Sequence, residues 1–129
     1  MIHYHGTPIG GSRQDTARFL IGRHALVPYP RQDDVGIVAE ACQSFVFDNG
    51  AFTIWKRGGE LDTSGYIAWV REWCRHPGFD WALIPDVIDG DEQTNDALVA
   101  EFQAAGLALY GVPVWHLHES IDKIGRAHV

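Results

Sequence analysis

Short apolar runs alternating with helix-spaced segments predict an α/β chain: a truncated β/α barrel of the TIM type, contributing about five parallel βα units. Three observations lead there. The apolar runs are continuous, as in parallel strands covered on both faces. Helical periodicity returns between successive runs. The chemistry-bearing residues gather directly after the runs: His3/His5, then Asp48/Asn49, then Asp86/Asp89/Asp91, then His116/His118/Glu119. Functional groups at the C-terminal ends of several strands are a barrel's arrangement. An open doubly wound sheet wants a Gly-rich phosphate turn where its first helix starts. Gly6-Thr7-Pro8-Ile9-Gly10-Gly11 is Gly-rich, but Pro8 removes a donor N–H and the glycine spacing does not fit.

In chain order, Ile2 to Thr7 is a short β-like run. Ser12 is the expected N-cap of a helix carrying Ala17, Phe19, Leu20 and Ile21 and stopped at Gly22. Ala25-Leu26-Val27 is the second run, ended by Pro28 and Pro30. A short helix from about Asp33 to Cys42 places Val35, Val38, Ala39 and Cys42 at helical spacing. Ser44-Phe45-Val46-Phe47 is a buried strand delivering Asp48-Asn49-Gly50-Ala51-Phe52. After a polar loop, Lys56 to Asp62, comes a helix with Tyr66, Ile67, Trp69, Val70 and Trp73, ended by Pro77-Gly78. Trp81-Ala82-Leu83-Ile84 is the fourth strand, feeding Pro85 to Asp91. A helix from Glu92 to Ala105 precedes Gly106, and Tyr110 to Trp115 is the fifth strand, ending in His116-Leu117-His118-Glu119.

A complete barrel needs eight strands and about 250 residues. The 129 residues here therefore read as the N-terminal half of a barrel catalytic domain over 1–123, with a tail at 124–129. That tail, Ile124-Gly125-Arg126-Ala127-His128-Val129, resembles the translation of a sequencing adapter and is expected to be non-native. A half barrel leaves strand edges and apolar faces open, so self-association is expected.

With 46% hydrophobic residues the chain can bury a real core. A net charge of −7 and a pI near 5.3 give no support to a standalone nucleic-acid binder, which would carry a basic face. Cys42 and Cys74 stand far apart in unrelated contexts, which predicts two reduced thiols, and neither forms a CxxC pair of the zinc-binding kind. The N-terminus is broken up by His3, His5, Gly6 and Pro8, unlike a secretory signal. No apolar run approaches the roughly 20 residues of a membrane span. A cytoplasmic protein without membrane contact is the expectation.

Asp48-Asn49-Gly50-Ala51-Phe52 carries the most chemical information. An aspartate directly after a buried strand is either a turn residue, satisfied by its own backbone, or a site carboxylate. Phe52, Trp55 and Tyr66 offer aromatic faces on which a flat base could stack. The stretch resembles the Asp-Ser-Gly-Gly-aromatic motif of the tRNA-guanine transglycosylases. It is closer still to the Asp-Xaa-Gly-Ala-Phe form of their phage-type and DNA-modifying relatives. The resemblance implies that Asp48 is the catalytic carboxylate of the base pocket, with a proton-transfer or base-recognition role. It also implies that Asn49, Gly50, Ala51 and Phe52 bind the purine, with Gly50 and Ala51 letting it approach the backbone. Asn49 stands where the family has serine, and Ala51 replaces the second glycine.

The resemblance further implies that Asp86, after the next strand, accepts hydrogen bonds from the purine's ring N–H and exocyclic amine, a donor pair that suits a carboxylate. Asp89 and Asp91 read either as substrate-side loop residues, Asp89 above all, or as the N-cap of the following helix. His116, His118 and Glu119 stand where the family has a Gln-Gly pair touching the base, so His116 and His118 are substrate-side candidates. The implied reaction is exchange of guanine for a 7-deazaguanine in tRNA or DNA: a second aspartate, from the C-terminal half, attacks the sugar C1′ and holds it as an ester. That nucleophile is not among these residues, so the fragment is expected to be inactive by itself. No cofactor is implied for this segment. The structural zinc of such enzymes belongs to a C-terminal cysteine/histidine cluster this chain lacks.

Two other readings stand beside this one. His3-Tyr4-His5 and His116-Leu117-His118 are HxH patterns whose imidazoles point the same way on a strand. His3, His5, His116 and His118 would thus be the metal ligands of an amidohydrolase-like barrel, in which a divalent ion activates water. A non-enzymatic βα domain serving a partner is the third reading. Trp69 and Trp73, among five tryptophans, would then mark either an interface or a helix packed on the sheet.

Overall fold

The computed structural model describes residues 2–6, 12–50, 56–60, 62–86 and 91–113. Five strands alternate with helices: β1 (Tyr4–Gly6), α1 (Arg13–Leu20), β2 (His24–Pro28), α2 (Val35–Ala41), β3 (Ser44–Asp48), α3 (Thr63–Trp73), β4 (Phe79–Leu83), α4 (Glu92–Ala104) and β5 (Gly111–Val112). All neighbouring strands pair in parallel, in the sequential order β1-β2-β3-β4-β5. The order does not reverse anywhere in the sheet, unlike that of a doubly wound fold at its switch point.

The helix starts follow the expected chemistry. The Ser12 hydroxyl accepts the Asp15 N–H at 3.2 Å, and the Asp15 carboxylate accepts the Ser12 N–H at 3.1 Å, a reciprocal cap on α1. Asp62 caps α3 by accepting the Gly65 N–H at 3.0 Å, and Asp91 caps α4 by accepting the Thr94 N–H at 2.6 Å. Asp91 is therefore a helix cap. The helix expected from Asp33 begins at Val35 instead, after a 3-10 turn over Tyr29–Asp34. Pro30 sits in the first turn of that segment, where a missing N–H is tolerated.

Two strand boundaries differ from the sequence reading. β4 starts at Phe79, two residues before the apolar run, because Phe79 turns into the core while the polar Asp80 stays exposed. Tyr110 belongs to a 3-10 turn, Ala108–Tyr110, and β5 follows it at Gly111–Val112.

The four helices named pack on one face of the sheet. Leu20 of α1, Val35 and Val38 of α2, Tyr66, Ile67, Trp69 and Val70 of α3 and Phe102 of α4 share a single core with Ala25, Val27, Phe45, Phe47 and Ala82 of the strands. One-sided crossovers follow from right-handed connections between strands laid down in order. The opposite face is only partly covered. In β2, Ala25 and Val27 are buried while His24, Leu26 and Pro28 are half-buried. Among the described residues the strands are thus not covered equally on both faces, contrary to expectation, because none of the four helices named lies on the second side.

That second face is concave. Between Phe45↔Phe79 and Phe47↔Ala82 the register shifts by one residue, a bulge that sets Asp80 and Trp81 together opposite Val46. The Tyr4 ring lies 5.5 Å from that of Trp81, and its hydroxyl donates to Asp80 at 2.8 Å. In a flat sheet β1 and β4 would stand three spacings apart, roughly 14 Å. Side chains rising from such a sheet could not meet, so the strands curl towards one another. No helix among the described residues is long and apolar enough to cross a membrane.

Candidate functional site

The site forms at the C-terminal ends of β3 and β4. In β3, Phe45, Val46 and Phe47 are fully buried, and Phe47 stacks on Trp69 of α3 at 3.6 Å between centroids and 5° between planes. The strand that delivers Asp48 is therefore firmly seated on α3.

From the same helix, the buried Tyr66 hydroxyl reaches the strand ends. It donates to the Leu83 carbonyl at 2.6 Å and lies 3.5 Å from that of Phe47. One tyrosine thus bridges β3 and β4 where their chains run out into loops. Burial holds its phenol pKa well above 10, helped by the negative charges of Asp48 and Asp86, so Tyr66 stays a neutral donor.

Asn49 makes the second bridge. It is 2% exposed, and its amide nitrogen donates to the Ile84 carbonyl at 3.1 Å and to Asp86 Oδ1 at 2.7 Å. Asp86 itself is 7% exposed. A carboxyl group taken out of water needs hydrogen-bond donors of this kind in place of the solvent it loses.

Gly50 has φ +74, and a Cβ there would collide with the ring of Pro30. The close approach that requires glycine at this position is that of the Tyr29–Asp34 segment. The turn after β3 is thus pinned from two sides, by Pro30 and by the loop after β4.

Asp48 is half-buried. Loss of solvent raises its pKa most; the Gly50 N–H draws it back, the Asp86 charge raises it, and the Asn49 N–H lowers it slightly. The Asp48 carboxyl leans on the backbone of its own turn, and it shares a partly dry site with a second carboxylate. Such a pair can accept hydrogen bonds from a donor-rich ligand edge or exchange a proton with it.

The structure thus gathers Asp48, Asn49, Gly50 and Asp86 in one place. Ala51, Phe52, Trp55, Asp89, His116, His118 and Glu119 lie outside the described residues. Of the histidine pairs, His3 is exposed, and His5 pairs with Ala25 on the helix side and meets the Phe19 ring edge-on at 5.9 Å. His5 therefore turns away from the concave face, which takes a ligand from the metal reading. Among the described residues no three His, Cys, Asp or Glu side chains group as a metal site. Cys42 and Cys74 are half-buried free thiols, and burial pushes the Cys42 thiol up. Trp69 and Trp73 pack inward on Phe47 and Phe45.

Sequence reasoning did not find the Tyr66 bridge, nor a second polar cluster at the opposite rim. There His24 Nδ1 and Ser44 Oγ share a hydrogen bond at 2.5 Å beside the Tyr4–Asp80 pair. Periodicity marked Tyr66 as a core residue and offered no sign of where its hydroxyl would go. No family model matches the chain, and neither does any curated protein or solved structure.

Proposed function

We propose that this chain is the base-binding portion of a purine-base exchange enzyme resembling the tRNA-guanine transglycosylases, on strands that belong to a β/α barrel. The sequential parallel order, the concave face opposite the helices and the carboxylates at the strand C-termini support the barrel. The observation that carries the functional reading is the meeting of Asp48 and Asp86. They come from adjacent strands, close enough for the charge of one to raise the pKa of the other. Two acceptor groups side by side in a partly desolvated site suit the donor edge of guanine or a 7-deazaguanine. In this reading Asp86 accepts from the base and Asp48 handles the proton that the base gains on leaving or gives up on entry. The base would be part of tRNA or DNA. The partly covered concave face also favours self-association of the chain.

Calorimetric titration of the protein with guanine and with 7-deazaguanine tests this. Saturable binding that is lost in both Asp48→Ala and Asp86→Ala is the expected result. Undiminished binding in Asp48→Ala removes that residue from the site, and a wild-type chain that takes up neither base overturns the reading.

A further inference from the structure

We infer that Asn49 is a positioning residue, clasping the loop after β4 to the turn after β3 and so setting how close Asp86 stands to Asp48. The inference rests on the base-binding reading for its functional consequence, but its geometry stands independently of it. A primary amide carries two hydrogens on one nitrogen, and the Asn49 nitrogen faces two acceptors, the Ile84 carbonyl at 3.1 Å and Asp86 Oδ1 at 2.7 Å. The flipped amide would set its oxygen against both acceptors, so the contacts themselves fix the orientation. No other uncharged side chain of this size offers two hydrogens from one atom. Serine has a single hydroxyl hydrogen and a shorter reach, and aspartate is isosteric but brings no donor when ionised.

The two contacts also divide the work. Ile84 belongs to the core shared by sheet and helices, so its carbonyl is a fixed point. Asp86 lies two residues further on, where the chain has left β4. Binding both to one nitrogen ties the Asp86 carboxylate to the end of β4. Asn49 is in turn held by the pinned turn at Gly50, against Pro30. The Asp48–Asp86 spacing is thus determined by a side chain that need not touch the ligand. A site whose carboxylates are held in advance avoids the ordering cost of assembling them on binding.

The test uses the whole chain and two readouts. In the free wild-type protein, selective 15N labelling of asparagine should show both Asn49 side-chain protons slowed in exchange with solvent. In Asn49→Ala, the Asp48 carboxyl, followed by 13C NMR, should titrate closer to the ordinary aspartate range, because the contact that draws Asp86 and its charge towards the turn after β3 is lost. Guanine affinity should fall tenfold or more, with partial recovery in Asn49→Ser. A well-folded Asn49→Ala protein with an unchanged Asp48 titration overturns the inference. If that variant fails to fold, the wild-type measurement decides: Asn49 side-chain protons exchanging at free rates overturn it, and protected ones sustain it. Absence of guanine binding to wild type, with the clasp intact by NMR, counts against the base-binding reading alone.

Discussion

The Tyr4 hydroxyl, on the first strand, donates at 2.8 Å to the Asp80 carboxylate on the fourth, across two intervening strands. This contact exists because the sheet curls and because Asp80, next to the core residue Phe79, points to the concave face, where the bulge in β4 sets Trp81 beside it. It also marks the rim opposite the carboxylate site: Tyr4 pairs with His24 and His24 with Ser44 at the strand starts. The two ends of the concave face thus carry different chemistry, hydroxyls, an imidazole and the Asp80 carboxylate at one and the Asp48 and Asp86 carboxylates at the other.

A double-mutant cycle on Tyr4→Phe and Asp80→Asn should give a coupling of about 0.5–1 kcal/mol, below the roughly 1.5–3 kcal/mol of a hydrogen bond to a charged group, because solvent reaches the pair. Burial and the adjacent Asp80 raise the Tyr4 phenol above its ordinary 10.0. Ultraviolet titration should therefore find one tyrosine fewer ionising in the high range after Tyr4→Phe. A coupling indistinguishable from zero would mean that the curl is held by the ring contacts alone.

Asp48 should make stability fall as pH rises. Its folded pKa lies above the ordinary 3.8, so the folded state holds that proton more tightly than the unfolded chain does. The stabilisation is complete below about 3.8 and is lost as pH climbs through the folded value. Asp48→Asn, which keeps an acceptor oxygen for the Gly50 N–H, should therefore melt above wild type at pH 7. The advantage should vanish in strong acid. Equal melting temperatures at pH 7 would show that the carboxylate is better solvated than its burial implies.

Tyr66→Phe should cost about 1–3 kcal/mol, since the ring still fills the core but the Leu83 carbonyl loses its donor. The effect should extend beyond stability. With β3 and β4 no longer bridged, backbone amides at 48–50 and 84–86 should exchange faster than in wild type. Hydrogen exchange that speeds up uniformly over the whole chain would reduce Tyr66 to a packing residue.

Gly50→Ala meets two obstacles, a left-handed backbone and the Pro30 ring. The backbone alone costs roughly 1–2 kcal/mol, and the contact adds to it. A companion Pro30→Ala substitution should relieve the second part and recover some stability. Chemical denaturation of the single and double variants separates the two contributions; no recovery would mean that the backbone conformation is the whole effect.

Much of the fold was legible because it is set locally. The Ser12 and Asp91 caps sit three residues from the N–H groups they satisfy. The buried run Phe45-Val46-Phe47 announced β3 by composition alone. β4 starts before its apolar run because the polar Asp80, on the face away from the core, interrupts that run after Phe79. At the site, Asp48 and Asp86 were visible as carboxylates following strands. The partner of Asn49 was not, because an asparagine in a turn looks the same whether its amide meets water or another loop.

The sequence by itself determined the order of helices and strands and that Asp48 and Asp86 follow strands, since these follow from side-chain periodicity and short-range capping. Only the tertiary structure decided which distant groups meet: Tyr4 with Asp80 across 76 positions, Asn49 with Asp86 across 37. The physical reason is that register, bulge and curl are settled by packing the whole sheet against its helices, and a shift of one residue would turn each of these side chains to the other face.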